Sequence, residues 1–204
     1  MSSASRVLEA ALRLIDVLDG SDTRYALMGG LAIPIWGIPR ATFDVDVVLS
    51  VDATGLAAFL DAARGARFVV AAPHATGFRD VLHGMEKLSL DWWTPESQRV
   101  EVDVFLVTTP YQEAAFARRC PVQIDGRSAW VLSAADLILH KLVASRPKDL
   151  ADIQNILAVQ GIPDAVYLRQ WAARLGVADE LARALETANL VDDDPADDED
   201  TRRE

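Results

Sequence analysis

Two aspartates stand one residue apart near the start of an apolar segment, and together they could do chemistry. Asp44 and Asp46 run into Val47-Val48-Leu49. On a β-strand, side chains two residues apart point to the same face, so the two carboxylates would lie close together. Carboxylates this close repel each other unless a cation lies between them, and hard oxygen ligands suit Mg²⁺. The pair therefore predicts a site for one or two Mg²⁺ ions.

A glycine pair precedes these acids. Gly29 and Gly30 follow the apolar run Tyr25-Ala26-Leu27-Met28 and come before a short amphipathic segment. A turn of this kind ahead of a helix exposes backbone N–H groups, which bind phosphate oxygens well. Either motif alone is usually only a turn or a solvated strand edge. Their order within the 22 residues 28–49, strand, Gly-Gly, helix, Asp-x-Asp and strand, is much more specific and indicates function.

A later strand offers further carboxylates. Residues 99–107 alternate in polarity, which places Glu101 and Asp103 on one face. Asp103 stands between two valines, as Asp46 does, and this suggests two adjacent strands that offer acids to one metal cluster. The alternative is that both later acids lie on a solvated sheet edge. Glu101 could also replace or assist Asp103.

The pattern Gly-Gly-x-Ala…Gly-x-x-Arg-x-Thr-x-Asp-x-Asp over residues 29–46 resembles the signature of the DNA polymerase beta-like nucleotidyltransferase superfamily. It is most similar to small bacterial and archaeal members, including the toxin-type enzymes of the abortive-infection group. The resemblance covers roughly residues 24–158. It implies an Mg²⁺-dependent enzyme that moves a nucleoside monophosphate from a nucleoside triphosphate to a hydroxyl group. By this resemblance Asp44, Asp46 and Asp103 are the catalytic residues and the metal ligands.

The same resemblance suggests which residues bind the nucleotide. The segment Lys-x(4)-Arg-x-Lys-Asp-x-x-Asp, residues 141–152, resembles one in the toxin-type branch whose basic residues bind substrate. That branch usually has a longer gap between its arginine and its Lys-Asp, and the alternative is a helix–turn–helix with surface charges. Arg40 is either a surface arginine in a loop or a residue that contacts the nucleotide phosphate or the carboxylates of the site. The residues expected to bind nucleotide are Gly29, Gly30, Arg40, Lys141, Arg146, Lys148 and Asp149; the roles of Glu101 and Asp152 stay open.

Composition limits the class of protein. The length of 204 residues fits one domain with an appendage. Apolar residues make up 50% of the chain, which is enough to form a core. No apolar run reaches the ~18 residues needed to span a bilayer. The single cysteine, Cys120, excludes an internal disulfide and a cysteine-based zinc site, so we expect a cytoplasmic protein without a membrane partner. The net charge is −11, of which residues 191–204 contribute −6. The mildly acidic remainder argues against broad non-specific binding of nucleic acid.

Hydrophobic periodicity predicts an α/β (α+β) fold, with a small mixed sheet, packed helices and a helical C-terminal part. We expect strands at 25–28, 43–50, 67–72, 87–92, 99–107, 121–124 and 129–132. We expect helices at 5–19, 31–36, 54–64, 111–119 and 178–188, with three more between 133 and 176. The predicted division is a nucleotidyltransferase core with its N-terminal helix at 1–132, a helical part at 133–190 and a disordered acidic tail at 191–204.

The acceptor of the transferred group cannot be read from the sequence. RNA, a protein side chain and a small molecule such as an aminoglycoside all stay open, as does the identity of the nucleoside triphosphate. The protein could be the toxin of a toxin–antitoxin pair, with an antitoxin protein as its partner. The alternative function is that of a non-catalytic member of the fold that binds a nucleotide or a partner. The presence of all three acids counts against that alternative.

Overall fold

The computed structural model describes residues 3–189, apart from residues 73, 78 and 83. These residues form eight strands and eight α-helices, and the strands join into one mixed sheet. The strands are β1 (Tyr25–Met28), β2 (Asp44–Leu49), β3 (Phe68–Val70), β4 (Asp80–Leu82), β5 (Met85–Trp93), β6 (Arg99–Leu106), β7 (Cys120–Ile124) and β8 (Arg127–Val131). The helices are α1 (Ser3–Gly20), α2 (Gly29–Trp36), α3 (Ala53–Gly65), α4 (Pro110–Ala117), α5 (Ala134–Ala144), α6 (Pro147–Gln160), α7 (Ala165–Leu175) and α8 (Ala178–Thr187). The predicted fold class is confirmed.

The order of the strands brings the predicted acids side by side. The sheet runs β3-β5-β6-β2-β1-β8-β7, with β4 paired to β5. Strands β2 and β6 are parallel neighbours, and their register places Asp46 beside Asp103 and Asp44 beside Glu101. Strand β1 lies antiparallel to β2 on the other side, and it ends at the glycine pair. The prediction of two adjacent acidic strands is therefore confirmed.

Alternation along β2 explains why it carries both core and site residues. Val45 and Val47 are fully buried, while the intervening aspartates point to the other face and are partly exposed. Every residue of β1 is buried. One cluster of buried apolar side chains extends from Val7 of α1 to Leu185 of α8. The sheet and the C-terminal helices therefore share one core.

Local signals set the ends of the later elements as the sequence predicts. Ser133 accepts a hydrogen bond from the backbone N–H of Asp136 and so caps α5. Pro147 opens α6, where its missing N–H costs nothing. Asp125 and Gly126 both have positive φ and close the β7–β8 hairpin.

Some expectations differ from the structure or lie beyond it. The segment 73–80, predicted as a loop, contains a 3-10 turn at His74–Thr76 and leads into β4. Strand β4 pairs with β5 over three residues only, which is too short for alternation to reveal. The predicted acidic tail lies outside the described residues, and the division at residue 132 stays a prediction. None of the described helices has the length and apolarity needed to cross a bilayer.

Candidate functional site

A cleft opens where the β1–α2 turn, β2 and β6 face α5 and the start of α6. Its enclosed volume is about 110 Å³. Sites that enclose a drug-sized ligand have volumes of roughly 300–1,000 Å³, so this cleft can enclose phosphate groups but not a whole nucleotide. Every residue predicted to act in catalysis or nucleotide binding lines it: Gly29, Gly30, Arg40, Asp44, Asp46, Asp103, Lys141, Arg146, Lys148 and Asp149. Glu101 lies outside the cleft, exposed and paired with Arg99.

The glycine pair lies directly against the acidic strand. A Cβ atom on Gly29 would stand 1.8 Å from Oδ2 of Asp46, and the residue has a φ of +60°. A Cβ atom on Gly30 would stand 2.2 Å from Oγ1 of Thr42. Neither position has room for a side chain, and the φ of Gly29 favours glycine independently. Both glycines are therefore required by the close approach of the turn to β2.

The carboxyl of Asp46 is deeply placed between two other acids. Burial, as the largest cause, and the carboxylates of Asp44 and Asp103 together raise its pKa to about 7, against the opposing effect of Lys141 and Lys148. Asp44 is held from the other side, because its Oδ1 accepts a hydrogen bond of 2.8 Å from Oγ1 of Thr42. The site therefore favours a proton or a cation at Asp46.

Asp103 is held by two side chains of the neighbouring strand β5. Its Oδ2 accepts a hydrogen bond of 2.8 Å from Nζ of Lys87, and its Oδ1 accepts one of 2.8 Å from Oγ of Ser89. The sequence pattern alone indicates no role for Lys87 or Ser89. Their spacing of two residues on a predicted strand places both side chains on one face. That this face meets Asp103 follows only from the pairing of β5 with β6.

A buried ion network joins the loop before β2 to the C-terminal helices. Arg40 donates from Nε and Nη2 to the two carboxylate oxygens of Asp152, at 2.6 and 2.7 Å. Lys141 donates to Asp152 at 2.5 Å and to Asp149 at 3.3 Å. Asp152 is fully buried, which by itself raises its pKa, but the hydrogen bonds from Arg40 and Lys141 outweigh burial and lower it. Asp152, whose role the sequence left open, is thus the charged centre of this network.

The start of α6 supplies the remaining cations. Arg146 donates to Asp149 at 2.5 and 3.2 Å, which ties the first turn of the helix to the residue before it. Lys148 is exposed, and it makes no hydrogen bond or ion pair with another residue of the described chain. The other basic residues of the cleft, Arg40, Lys141 and Arg146, form ion pairs with described acids. Lys148 can therefore bind an anionic ligand without breaking an ion pair within the described chain.

A histidine that the sequence analysis left without a role also lines the cleft. His140 lies on α5 beside Lys141, and burial, with a smaller contribution from that lysine, lowers its pKa to about 4. The imidazole is therefore neutral at physiological pH. Nothing in the sequence around it distinguishes it from an ordinary helix residue, so its position could not have been predicted.

The donor set of the cleft suits Mg²⁺, although no ready-made metal centre is present. In the described part of the chain, no group of three or more His, Cys, Asp or Glu side chains is arranged to hold a metal ion. The acids that face the cleft are nonetheless hard oxygen donors, and the crowding of Asp46 between two other carboxylates is relieved by a cation. The residues fit the metal by their chemistry.

Comparisons with known proteins bear on the family and the fold of the chain. A family model described as "Nucleotidyltransferase of unknown function (DUF6036)" matches residues 6–173. No curated protein sequence matches the chain.

Solved structures show the same fold at low identity. An antigenic nucleotidyltransferase-like protein from Paracoccidioides brasiliensis is similar with a TM-score of 0.54 and 22% identity, over 90% of this chain and 94% of that one. JHP933 from Helicobacter pylori is similar with a TM-score of 0.51 and 14% identity, over 93% and 90%. ANT(2")-Ia, solved in complex with adenylyl-2"-tobramycin, is similar with a TM-score of 0.50 and 13% identity, over 89% and 96%.

Proposed function

The chain belongs to this family of nucleotidyltransferases, and from that premise we propose that it moves a nucleoside monophosphate from a nucleoside triphosphate to a hydroxyl acceptor, with Mg²⁺ as cofactor. One observation carries the proposal. The acids, the glycine pair and the basic residues come from five separate elements and adjoining loops, and all of them line a single cleft. Phosphoryl transfer needs positioning and neutralisation of charge more than covalent help, and this set of residues provides both.

Asp44, Asp46 and Asp103 are the residues that would hold the metal. Bound Mg²⁺ would supply positive charge to the triphosphate and favour ionisation of the attacking hydroxyl. The carboxylate of Asp103 is our candidate to attract the proton of that hydroxyl. Lys87 and Ser89 already fix the direction of this carboxylate.

The glycine turn and Lys148 would bind the phosphates. In this proposal the triphosphate tail lies in the cleft next to the backbone of Gly29 and Gly30, which line it. Lys148, which has no acidic partner in the described chain, would neutralise charge on the leaving pyrophosphate. Arg40 and Lys141 are held by Asp152 and would act at fixed positions.

For the acceptor we propose only its chemical class, a hydroxyl group. RNA, a protein hydroxyl and a hydroxyl-bearing small molecule are all to be tested, the last because ANT(2")-Ia, which shares the fold, was solved with an adenylylated aminoglycoside. A cytoplasmic toxin whose partner is an antitoxin protein is the cellular role that we propose for the case of an RNA or protein acceptor.

The test pairs an activity assay with a stability measurement. The wild type is incubated with each labelled nucleoside triphosphate, Mg²⁺ and a broad set of acceptors, beside Asp44→Asn and Asp46→Asn. Each variant keeps the shape of the side chain but removes one charge, so turnover should fall by about 10²–10⁴-fold. The melting temperature should hold or rise, because the acids repel one another without a cation.

Asp61→Asn is the matched control, since Asp61 is an exposed aspartate of α3 whose one ion-pair partner among the described residues is the exposed Arg64. It should leave turnover unchanged. If the wild type labels no acceptor and its nucleotide binding does not depend on Mg²⁺, the enzyme proposal gives way to a non-catalytic protein that binds a nucleotide or a partner.

A further inference from the structure

A second cavity adjoins the cleft on the side of the C-terminal helices. Its volume is about 320 Å³, and it shares the side chains of Met85 and His140 with the cleft. The cleft encloses only about 110 Å³, so a nucleotide held there by its phosphates leaves its nucleoside outside. Because the two spaces share these side chains, they lie next to each other, and the cavity is the neighbouring space on this side of the cleft.

Three flat rings line the cavity. The ring of Tyr111 lies 5.3 Å from that of His140 and 5.1 Å from that of Trp171, centroid to centroid. These rings come from α4, α5 and α7, respectively. Tyr111 is buried, and its hydroxyl donates a 3.4 Å hydrogen bond to the backbone oxygen of Asp136, which fixes the ring. Rigid aromatic walls of this kind favour a flat ligand that stacks on them.

The other described residues of the lining are uncharged. No Asp, Glu, Lys or Arg is among them, so the described lining offers no cation to a phosphate. The amide oxygen of Gln112 is already occupied by the backbone N–H groups of Thr108 and Thr109. His140, at the boundary with the cleft, makes no hydrogen bond to another described residue. Its ring nitrogens are therefore available to a polar group on the edge of a flat ligand.

We propose that this cavity binds the base of the nucleoside triphosphate, with Tyr111 and Trp171 packed on its faces or edges and His140 bonded to its polar rim. The inference rests on the proposed function, because the phosphates of the same molecule are placed in the cleft. Volume and chemistry separate the two halves of the site: the cleft has about 110 Å³ and charged side chains, whereas the cavity has about 320 Å³, aromatic rings and no charged side chain among its described lining residues.

Isothermal titration of the wild type in Mg²⁺ tests the base directly. Inorganic triphosphate reports on the cleft alone, and each of the four nucleoside triphosphates reports on cleft and cavity together. Stacking of a base on aromatic side chains is worth enough that at least one nucleoside triphosphate should bind about tenfold more tightly than inorganic triphosphate. This comparison needs no variant, so it does not depend on a substitution that folds.

Val143→Phe then fills the cavity. Val143 lines the cavity but not the cleft, and a larger ring there occupies the space of the base. The tenfold preference for the nucleoside triphosphate should fall to about threefold or less. Val166→Phe is the control, because it makes the same exchange at a valine of α7 that is 66% exposed and lines neither space. It should leave both affinities at their wild-type values.

His140→Phe is the second variant. It keeps a ring of similar shape and removes both nitrogens, so the differences in affinity among the four nucleoside triphosphates should shrink at least threefold. Melting curves of all variants show whether they fold.

Three outcomes overturn the inference. If the wild type binds inorganic triphosphate as tightly as every nucleoside triphosphate, the base lies elsewhere, while the proposed function stands. If Val143→Phe keeps the preference for nucleoside triphosphate but blocks transfer to an acceptor, the cavity holds the acceptor instead. If neither inorganic triphosphate nor any nucleoside triphosphate binds in Mg²⁺, the proposed function fails with the inference.

Discussion

Asp46 and His140 face the same cleft, yet their pKa values move in opposite directions for one reason. Burial disfavours the charged form of each side chain and is the largest cause of both shifts. With the charges of the neighbouring side chains included, the pKa of the acid is raised to about 7 and that of the base is lowered to about 4. The cleft therefore holds two residues that are easily neutral among several that are charged.

The shift at His140 predicts how stability depends on pH. The unfolded chain binds a proton at this residue below its ordinary pKa of 6.5, whereas the folded chain does so only below about 4. Since the unfolded state then binds more protons, the free energy of unfolding should fall as pH drops from 6.5 towards 4. The contribution of this one residue is up to about 3 kcal/mol.

Urea unfolding at pH 7.5, 6.0 and 5.0 measures the effect, with His140→Phe as the comparison. The variant should lose less stability than the wild type across this range. Equal losses in the two proteins would show that His140 does not titrate abnormally.

At this scale the sequence predicts the acids better than the residues that hold them. Asp44 and Asp46 are visible because alternation on one strand is a local rule. The partner of Arg40, in contrast, lies 112 residues away at Asp152, and no local rule connects them. Lys87 reaches Asp103 only because β5 pairs with β6 in this register.

Among the elements, α6 is fixed to the loop before β2 by the pair Arg40–Asp152. Asp152 is fully buried and serves two cations, so its neutralisation would leave Arg40 without its carboxylate partner and the buried Lys141 with the longer contact to Asp149 alone. Loss of one member of a buried ion pair typically costs about 3–5 kcal/mol. We therefore predict that Asp152→Asn lowers the free energy of unfolding by about 3 kcal/mol, as measured by urea denaturation.

The chain contains a well-matched control for this prediction. Arg127 and Asp16, which are 111 residues apart in the sequence, form a bidentate ion pair, but both side chains are nearly half exposed. Exposed pairs contribute roughly 0–1 kcal/mol, so Asp16→Asn should change little. If both variants lost the same stability, burial of Asp152 would not be what makes its pair important.

The elements themselves were largely predictable, with an informative exception. The hairpin of β7 and β8 follows from the Asp125-Gly126 turn, and α5 follows from its cap at Ser133. Strand β4 has only Asp80, Val81 and Leu82, and its position is set by pairing with β5 rather than by its own pattern. A strand whose formation depends on pairing with an adjacent strand is not predicted by the pattern of its own residues.

For the molecule as a whole, the continuous core predicts cooperative unfolding. Buried apolar side chains from α1 to α8 form one cluster, and the indole N–H of Trp36 donates to the backbone oxygen of Leu132 where the sheet leads into α5. We expect one calorimetric transition, with far-UV and near-UV circular dichroism changing at the same temperature. Two separate transitions would mean that the helical part from residue 133 onward unfolds independently of the core.

The separation of 112 residues between Arg40 and its carboxylate partner also affects how the protein folds during its synthesis. The glycine turn and the first two acids emerge early from the ribosome. Strand β8, which pairs with β1, emerges much later, and α6 follows it. Until α6 emerges, Arg40 has no buried anion to hold it, and the helix that carries Lys148 is absent. A chain still under synthesis, or one cut short by a premature stop, therefore has the signature of the site without its cleft.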